Sequence, residues 1–200
     1  VMAIEDLIAN EPVIITLTHN GLVKRTNLNS YSAQRRGGKG VIGMETRQKI
    51  SVGGSDNDFI EHLFTASTHD YLMFFTNTGR AYVERVHEIP DLGRLSKGRS
   101  IANVLELQAG EKIAAMKRIE GKYDDKKNDI TLRQDDKNIF FATQSGTVKK
   151  TTLSDFANVR KGGIIAIKIN EGDDLIDVKL TDGHNEVILI TRKGLSIRFN

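Results

Sequence analysis

The 200-residue chain reads as an all-β array of repeated, blade-sized units in a propeller-like arrangement. Three observations predict this. An apolar run ending in Thr, two variable residues and Gly occurs four times, at Ile14 to Gly21, Leu72 to Gly79, Ile139 to Gly146 and Val187 to Gly194, and each time a second strand-like run follows. Their glycines lie 58, 67 and 48 residues apart, a period that suits a propeller blade or similar β unit and not a helical solenoid. A second landmark keeps step: Lys39-Gly40, Lys97-Gly98 and Lys161-Gly162 follow their hairpin glycines by 19, 19 and 16 residues. Finally, 18 Gly against two Pro, with no Trp and a 38% hydrophobic fraction, suit many short strands joined by turns that need positive φ.

Each Thr-x-x-Gly element is predicted to be a hairpin, because an apolar, β-branched strand enters a short loop whose Gly can adopt the left-handed conformation. The return strands are Leu22 to Arg25, Arg80 to Val83, Thr147 to Lys150 and Leu195 to Arg198. Three of them carry Lys or Arg four residues past the Gly, and the second has Val83 there. A further strand is expected after each Lys-Gly, at Val41-Ile42, Ile101 to Leu105 and Ile164 to Ile167. Turns at Gly110 to Ile113 and Gly172 to Ile176 then lead into the next unit's inner strand. About four strands per unit result, which is blade-sized. The units divide at 11–62, 63–119 and 137–182, with the start of a fourth at 183–200. Residues 120–136, with the charged run Tyr123 to Asp129, form an exposed loop or extra ribbon between units. Ser51 to Asp58 is a turn-rich crossing. Helix content should be low. The fourth unit lacks a Lys-Gly landmark and closing strands, so the ring is expected to be incomplete and the parent polypeptide to continue.

Without Cys, disulfides and thiolate metal sites are excluded, in keeping with a reducing cytoplasm. Apolar runs fall far short of a membrane span, and Val1 to Asn10 lacks the order of a signal peptide. A cytoplasmic protein with no membrane partner is expected. The five histidines (His19, His62, His69, His87, His184) are scattered, and acidic turns such as Asp56-Asp58 and Asp173-Asp174 are commoner than metal sites. Ser145 and Thr143 have no general base in reach. Neither catalysis nor a metal or cofactor is expected in this chain.

The net charge is only +3, yet its sign is unevenly distributed. Basic residues gather after hairpins and beside glycines, at Lys24-Arg25, Arg35-Arg36-Lys39, Arg94-Lys97-Arg99, Lys149-Lys150, Arg160-Lys161 and Arg192-Lys193. A solvated surface of mixed charge is the ordinary reading of any one cluster; recurrence in step with the repeat points instead to a surface for a polyanion. The densest signal is Gln34-Arg35-Arg36-Gly37-Gly38-Lys39-Gly40. Its glycines let the backbone approach a ligand and expose N–H groups, while two arginines can fork onto phosphate oxygens. Gly38 to Gly43 also satisfies G-x-G-x-x-G, but a dinucleotide fingerprint needs a buried strand before it and a helix opening within it. Asn27 to Arg36 is polar and the sequence after Gly43 has no helical apolar stripe, so neither is predicted, and a Walker loop would need Ser or Thr where Gly40 stands. A plain Gly-rich connecting loop with incidental charge is the remaining alternative.

With that box and the repeats in view, the chain resembles the C-terminal domain of DNA gyrase A subunits. Gln34 to Gly40 matches the seven-residue box that separates the family from its topoisomerase IV relatives, Glu5 to Glu11 resembles the family's approach to the domain, and the similarity covers essentially all 200 residues. Where it departs is length, since the family has about six blades. The resemblance implies a β-pinwheel, a disc whose blades exchange strands and whose outer rim binds, bends and wraps duplex DNA. It implies as partners the remainder of the gyrase A subunit, together with gyrase B subunits, in an A2B2 complex that introduces negative supercoils, with Mg²⁺ and ATP used in other domains or subunits. On this reading Arg35, Arg36 and Lys39 anchor the wrap, with Gln34, Gly37, Gly38 and Gly40 completing the box. Arg94, Lys97, Arg99, Lys149, Lys150, Arg160 and Lys161 are the other rim contacts. A topoisomerase IV type domain, which would wrap DNA weakly, and a protein-scaffolding propeller are the alternatives.

Replacing Arg35, Arg36 and Lys39 with Ala leaves the other basic clusters in place. Duplex affinity should therefore fall only in part, while closure of the wrap, which needs a hold at its end, is lost. A plasmid topology assay on the mutant holoenzyme should show loss of negative supercoiling with cleavage and relaxation retained; retained supercoiling would make the box a structural turn.

Overall fold

The computed structural model describes residues 4–30, 58–124, 129–132, 137–159 and 161–199. Its strands in chain order are β1 (Pro12–Thr18), β2 (Leu22–Asn27), β3 (Ile60–Ser67), β4 (Tyr71–Thr76), β5 (Arg80–Arg85), β6 (Arg99–Ser100), β7 (Ile113–Ile119) and β8 (Gly121–Asp124). There follow β9 (Asp129–Leu132), β10 (Asn138–Thr143), β11 (Val148–Thr152), β12 (Ile164–Ile165), β13 (Leu175–Thr181), β14 (Val187–Ile190) and β15 (Ser196–Phe199). Among the described residues the only helices are short 3-10 turns.

The threonine of each Thr-x-x-Gly motif closes its hairpin twice. The carbonyls of Thr18, Thr76, Thr143 and Thr191 accept from the N–H of Gly21, Gly79, Gly146 and Gly194 at 2.9 to 3.0 Å. Their hydroxyls accept from the following N–H, of Leu22 at 3.1 Å, Arg80 at 3.2 Å, Thr147 at 3.1 Å and Leu195 at 3.1 Å. A hydroxyl one carbon from the backbone reaches that position; Val would fill the space without accepting. The glycines all have positive φ, between 80° and 91°. In three of the hairpins the threonine also sits at a register shift against the neighbouring strand, which swings the loop out of the ladder.

The hairpins build three consecutive antiparallel sheets, ordered β3-β1-β2-β6, β12-β5-β4-β7 and β11-β10-β13, followed by the β14-β15 ribbon. β3 pairs with β1 out to Ser67, so the unit boundary drawn at 62/63 cuts a strand. The hairpin glycines mark only one end of a unit, and the alternating pattern of β3 carries no landmark of its own. Within 120–136, where the sequence leaves a loop or an extra ribbon open, β8 and β9 pair as an antiparallel ribbon. The strand expected at Ile101 to Leu105 is instead Arg99–Ser100, with Ile101–Asn103 a 3-10 turn whose start is held by the Ser100 hydroxyl on the Ala102 N–H.

Two sheets take their fourth strand from the next unit. β6 pairs with β2, Leu22 opposite Ser100 and Val23 opposite Arg99, and β12 pairs with β5, Arg80 opposite Ile165 and Ala81 opposite Ile164. The second sheet lies between the others, and β4, buried at every position, faces both ways. Leu72 and Phe74 enter a core with Val13, Ile15, Leu17 and Val23. Tyr71, Met73 and Phe75 enter another with Ile139, Phe141 and Phe156, where Phe75 meets Phe141 edge-on at 5.5 Å. Tyr71 and Tyr82 are both buried, one in each core.

Thr76 is fully buried and Thr191 exposed. Thr76→Val, which strands the Arg80 N–H, should cost about 1 to 3 kcal/mol in urea unfolding, and Thr191→Val, whose Leu195 N–H turns to water, a few tenths. Equal costs would show that the hydroxyls are not what closes the turns.

Candidate nucleic-acid interface

Edges β3, β7 and β13 form one side of the three sheets and β6, β12 and β11 the other. On the first side β7 and β13 are in contact, and His62, Lys117 and Asp177, one from each of the three strands, interact electrostatically. Burial pushes the Lys117 ammonium below its usual value, and the neighbouring Lys179 pushes it the same way, against Asp177. The sheets approach one another along this side, and β6, β12 and β11 form the opposite edge, the rim.

The rim carries most of the described cations that the sequence singles out. Lys97 and Arg99 are exposed on the segment that becomes β6, and Arg94 is half-buried just before them. Lys161 is exposed in the turn leading to β12. Lys149 and Lys150 lie on β11, the corresponding edge of the third sheet, opposite Phe141 and Phe140. Lys149 is exposed as a residue, with its Nζ donating to the Ala166 carbonyl at 2.7 Å. Gln34, Arg35, Arg36, Gly37, Gly38, Lys39, Gly40 and Arg160 lie outside the described residues.

The Lys-Gly landmark needs one correction of register. Gly98 stands next to Arg99, the partner of Val23, and Gly163 next to Ile164, the partner of Ala81. Gly98 is therefore equivalent to Gly163, and the counterpart of Lys97 is Gly162. Both equivalent glycines have positive φ, and a Cβ would sit 2.9 Å from the Val23 carbonyl oxygen at Gly98 and 2.9 Å from that of Ala81 at Gly163. What recurs is a glycine that lets the exchanged strand close on its host; the cation beside it shifts by one residue.

Several polar residues that hold this rim were not singled out from the sequence. Lys24, grouped there with surface cations, is fully buried; its Nζ donates to the carbonyls of Gly93 at 3.3 Å, Arg94 at 2.6 Å and Ser96 at 2.8 Å. Burial pushes its ammonium below the usual lysine value. Arg25 is half-buried, with Nε on the Ile89 carbonyl at 3.1 Å. In the second sheet Tyr82 takes the place of Lys24, donating to Glu111 Oε2 at 2.6 Å and approaching the Glu106 carbonyl at 3.2 Å. Arg80 lies 3.6 Å from Glu111 Oε1 and donates to the Gly162 carbonyl. One signal was available: Lys24, Tyr82 and Lys149 all stand three residues past a hairpin glycine, each a long side chain with a polar tip.

Among the described residues no group of three His, Cys, Asp or Glu could hold a metal ion, and no helix is long and apolar enough to cross a membrane.

The sheets, exchanged strands and basic outer edge define a propeller-like repeat domain. The model of the DNA gyrase C-terminal domain, beta-propeller, matches residues 12–67, 70–120 and 137–182, and the chain belongs to this family. It is 41% identical over 199 residues to the DNA gyrase A protein of Clostridium acetobutylicum and 43% identical over 196 residues to that of Halalkalibacterium halodurans, in each case across 98% of this chain and 21% of the relative. The chain thus spans about a fifth of the length of the curated relatives it matches. Among solved structures, the C-terminal domain of DNA topoisomerase IV aligns with TM-score 0.69 at 31% identity, over 96% of this chain and 53% of that one. The DNA gyrase A C-terminal domain aligns with TM-score 0.61 at 27% identity, over 95% and 55%.

Glu111 gives the site a pH signature. Its side chain is almost fully buried, which alone would raise its pKa, but hydrogen bonds from Tyr82, the Gln108 N–H, Thr78 and Thr76 outweigh burial and hold it below the usual 4.5. A carboxylate lowered on folding contributes stability that is present above the unfolded pKa and lost as pH falls through the folded one. Unfolding midpoints measured from pH 7 to pH 3 should fall less steeply below about 4.5 in Glu111→Gln than in the parent; parallel curves would contradict the assignment.

Proposed function

We propose that the chain binds duplex DNA on its outer rim without reading sequence, and bends and wraps it. The observation that carries this is the exchange of β6 and β12: the outermost strands of successive sheets share one construction, with exposed Lys97, Arg99 and Lys161 on or beside them. Wrapping requires many phosphate contacts and few base contacts, because curvature is imposed on whatever sequence passes. Bending a 20 to 30 bp site by 40° to 90° costs roughly 1 to 6 kcal/mol, and counterion release from spaced cations offsets it. On this reading Arg94, Lys150 and Arg160 add contacts, the Gln34–Gly40 box supplies the terminal hold, and Lys149 contributes through the backbone it supports.

In the parent protein, the wrap would present one duplex segment for passage through another during ATP-dependent negative supercoiling. Gyrase B would be the partner in an A2B2 complex, ATP and Mg²⁺ would act in other domains or subunits, and the complex would work at the cytoplasmic nucleoid. Likeness of fold to topoisomerase IV and gyrase A C-terminal domains is comparable, so the preference for wrapping rests on sequence. Its supports are the intact box and the identity of more than 40% to DNA gyrase A proteins.

Titration of a mixed-sequence duplex across a salt series tests the reading. The log of affinity should fall linearly with log salt at about −0.9 per phosphate contact, unrelated duplexes should bind alike, and Lys97→Ala/Arg99→Ala should make the slope shallower. A flat salt response or a strong preference for one short sequence would overturn it.

A further inference from the structure

We propose that Lys24 is a positioning residue for the rim, a buried ammonium whose removal unseats Lys97 and Arg99 without touching either. The inference rests on the DNA-binding reading above. Ion pairing does not explain Lys24, since among the described residues no carboxylate pairs with it; three backbone carbonyls of the next unit converge on it instead. An ammonium has three N–H donors and no acceptor, so these oxygens saturate it. An ammonium buried without a counter-ion is costly unless fully hydrogen-bonded. Such an arrangement implies that the segment it holds must be placed accurately.

The surrounding backbone shows what is held. From Pro90 to Leu92 the incoming segment is fixed by the β2 main chain, through Arg25 N–H to the Pro90 carbonyl, Leu92 N–H to the Arg25 carbonyl and the Thr26 hydroxyl to the Leu92 carbonyl. From Arg99 onward it is fixed as β6. Between these anchors the chain turns, with Ser96 N–H on the Gly93 carbonyl, and Lys24 is the side chain of the host sheet that grips the turn. Its carbonyls are drawn inward onto Nζ while the side chains of Leu95 and Lys97 stand exposed. Tyr82, at the equivalent place in the second sheet, reaches a backbone carbonyl and a carboxylate. The triple carbonyl grip belongs to the first sheet.

The test uses the full-length protein and a short duplex of mixed sequence, with affinity followed by fluorescence anisotropy across potassium chloride. Lys24→Met, Lys97→Ala/Arg99→Ala and the triple variant are compared. If Lys24 acts by placing the two cations, K24M makes the log–log slope shallower by about 1.8, as the double variant does. The affinity lost between 50 and 200 mM salt then shrinks by about tenfold, and K24M adds nothing in the triple variant. An unchanged slope in K24M, or full additivity in the triple variant, overturns the proposal while leaving the interface intact. No change of slope in the double variant overturns the interface reading itself, and the proposal with it. If circular dichroism shows K24M unfolded, Lys24→Arg carries the test, because it keeps the charge but not the compact head that fits three converging carbonyls. The same shallower slope is expected, and a parental slope in K24R overturns the proposal.

Discussion

Strand exchange is the constraint on which the rest of this structure depends. A three-stranded sheet such as β3-β1-β2 would leave the β2 edge as a row of unpaired backbone groups, open to association. β6 and β12 cover the edges of the first two sheets, and each comes from the unit that follows. The close approach leaves no room for a side chain at Gly98 or Gly163. Each rim segment therefore belongs to one unit by sequence and to its predecessor by hydrogen bonding. A unit cannot move without disturbing the rim of its neighbour.

The same logic governs the interior. β4 can be buried on both faces because sheets stand on either side of it, so its alternating residues enter two separate cores. A strand buried on both faces reads as a continuous apolar run, and Leu72-Met73-Phe74-Phe75 is one. β1 is more mixed, and its second face carries Thr16 and pairs with Lys24. Among the described residues that face is covered in part by the incoming segment from Leu92 to Ser96 and by no other sheet, and it holds a saturated ammonium where a second apolar core would otherwise be expected.

How much of this could be read from the sequence follows from which features are local. The hairpins were legible because a threonine and a glycine three residues apart close their own turn by hydrogen bonds within five residues. An insertion within 120–136 was legible as a break in periodicity, but whether it formed a loop or a ribbon was not. The exchange was not legible from the residues themselves, since two-residue strands such as Arg99–Ser100 carry no pattern; the family resemblance alone implied it. For the same reason the strand placed at Ile101 to Leu105 was displaced by two residues, and the Lys-Gly landmark slipped by one. Lys24 was misjudged because charge signals exposure only when nothing distant can satisfy it, and its three acceptors lie about seventy residues away in the chain. The box at Gln34–Gly40, the strongest chemical signal in the sequence, gains no geometry from the described residues.

A net charge of +3 conceals a division of labour among the cations. Lys24, Arg25, Arg80 and Lys149 each donate to a main-chain carbonyl, so part of the apparent basic surface holds backbone in place. Lys97, Arg99 and Lys161 remain exposed on or next to that backbone. A long lysine or arginine on a loose loop would lose much of its phosphate contact to side-chain and loop entropy. When the loop is fixed from beneath by hydrogen bonds, only the side chain has to be ordered. If this surface bends DNA as proposed, placement of charge matters as much as its amount, because a cation that follows the relaxed DNA path does nothing to curve it. On the proposed reading, the cations bound to main-chain carbonyls and the exposed ones would act as one device, with the first set fixing the arc along which the second set would meet phosphate.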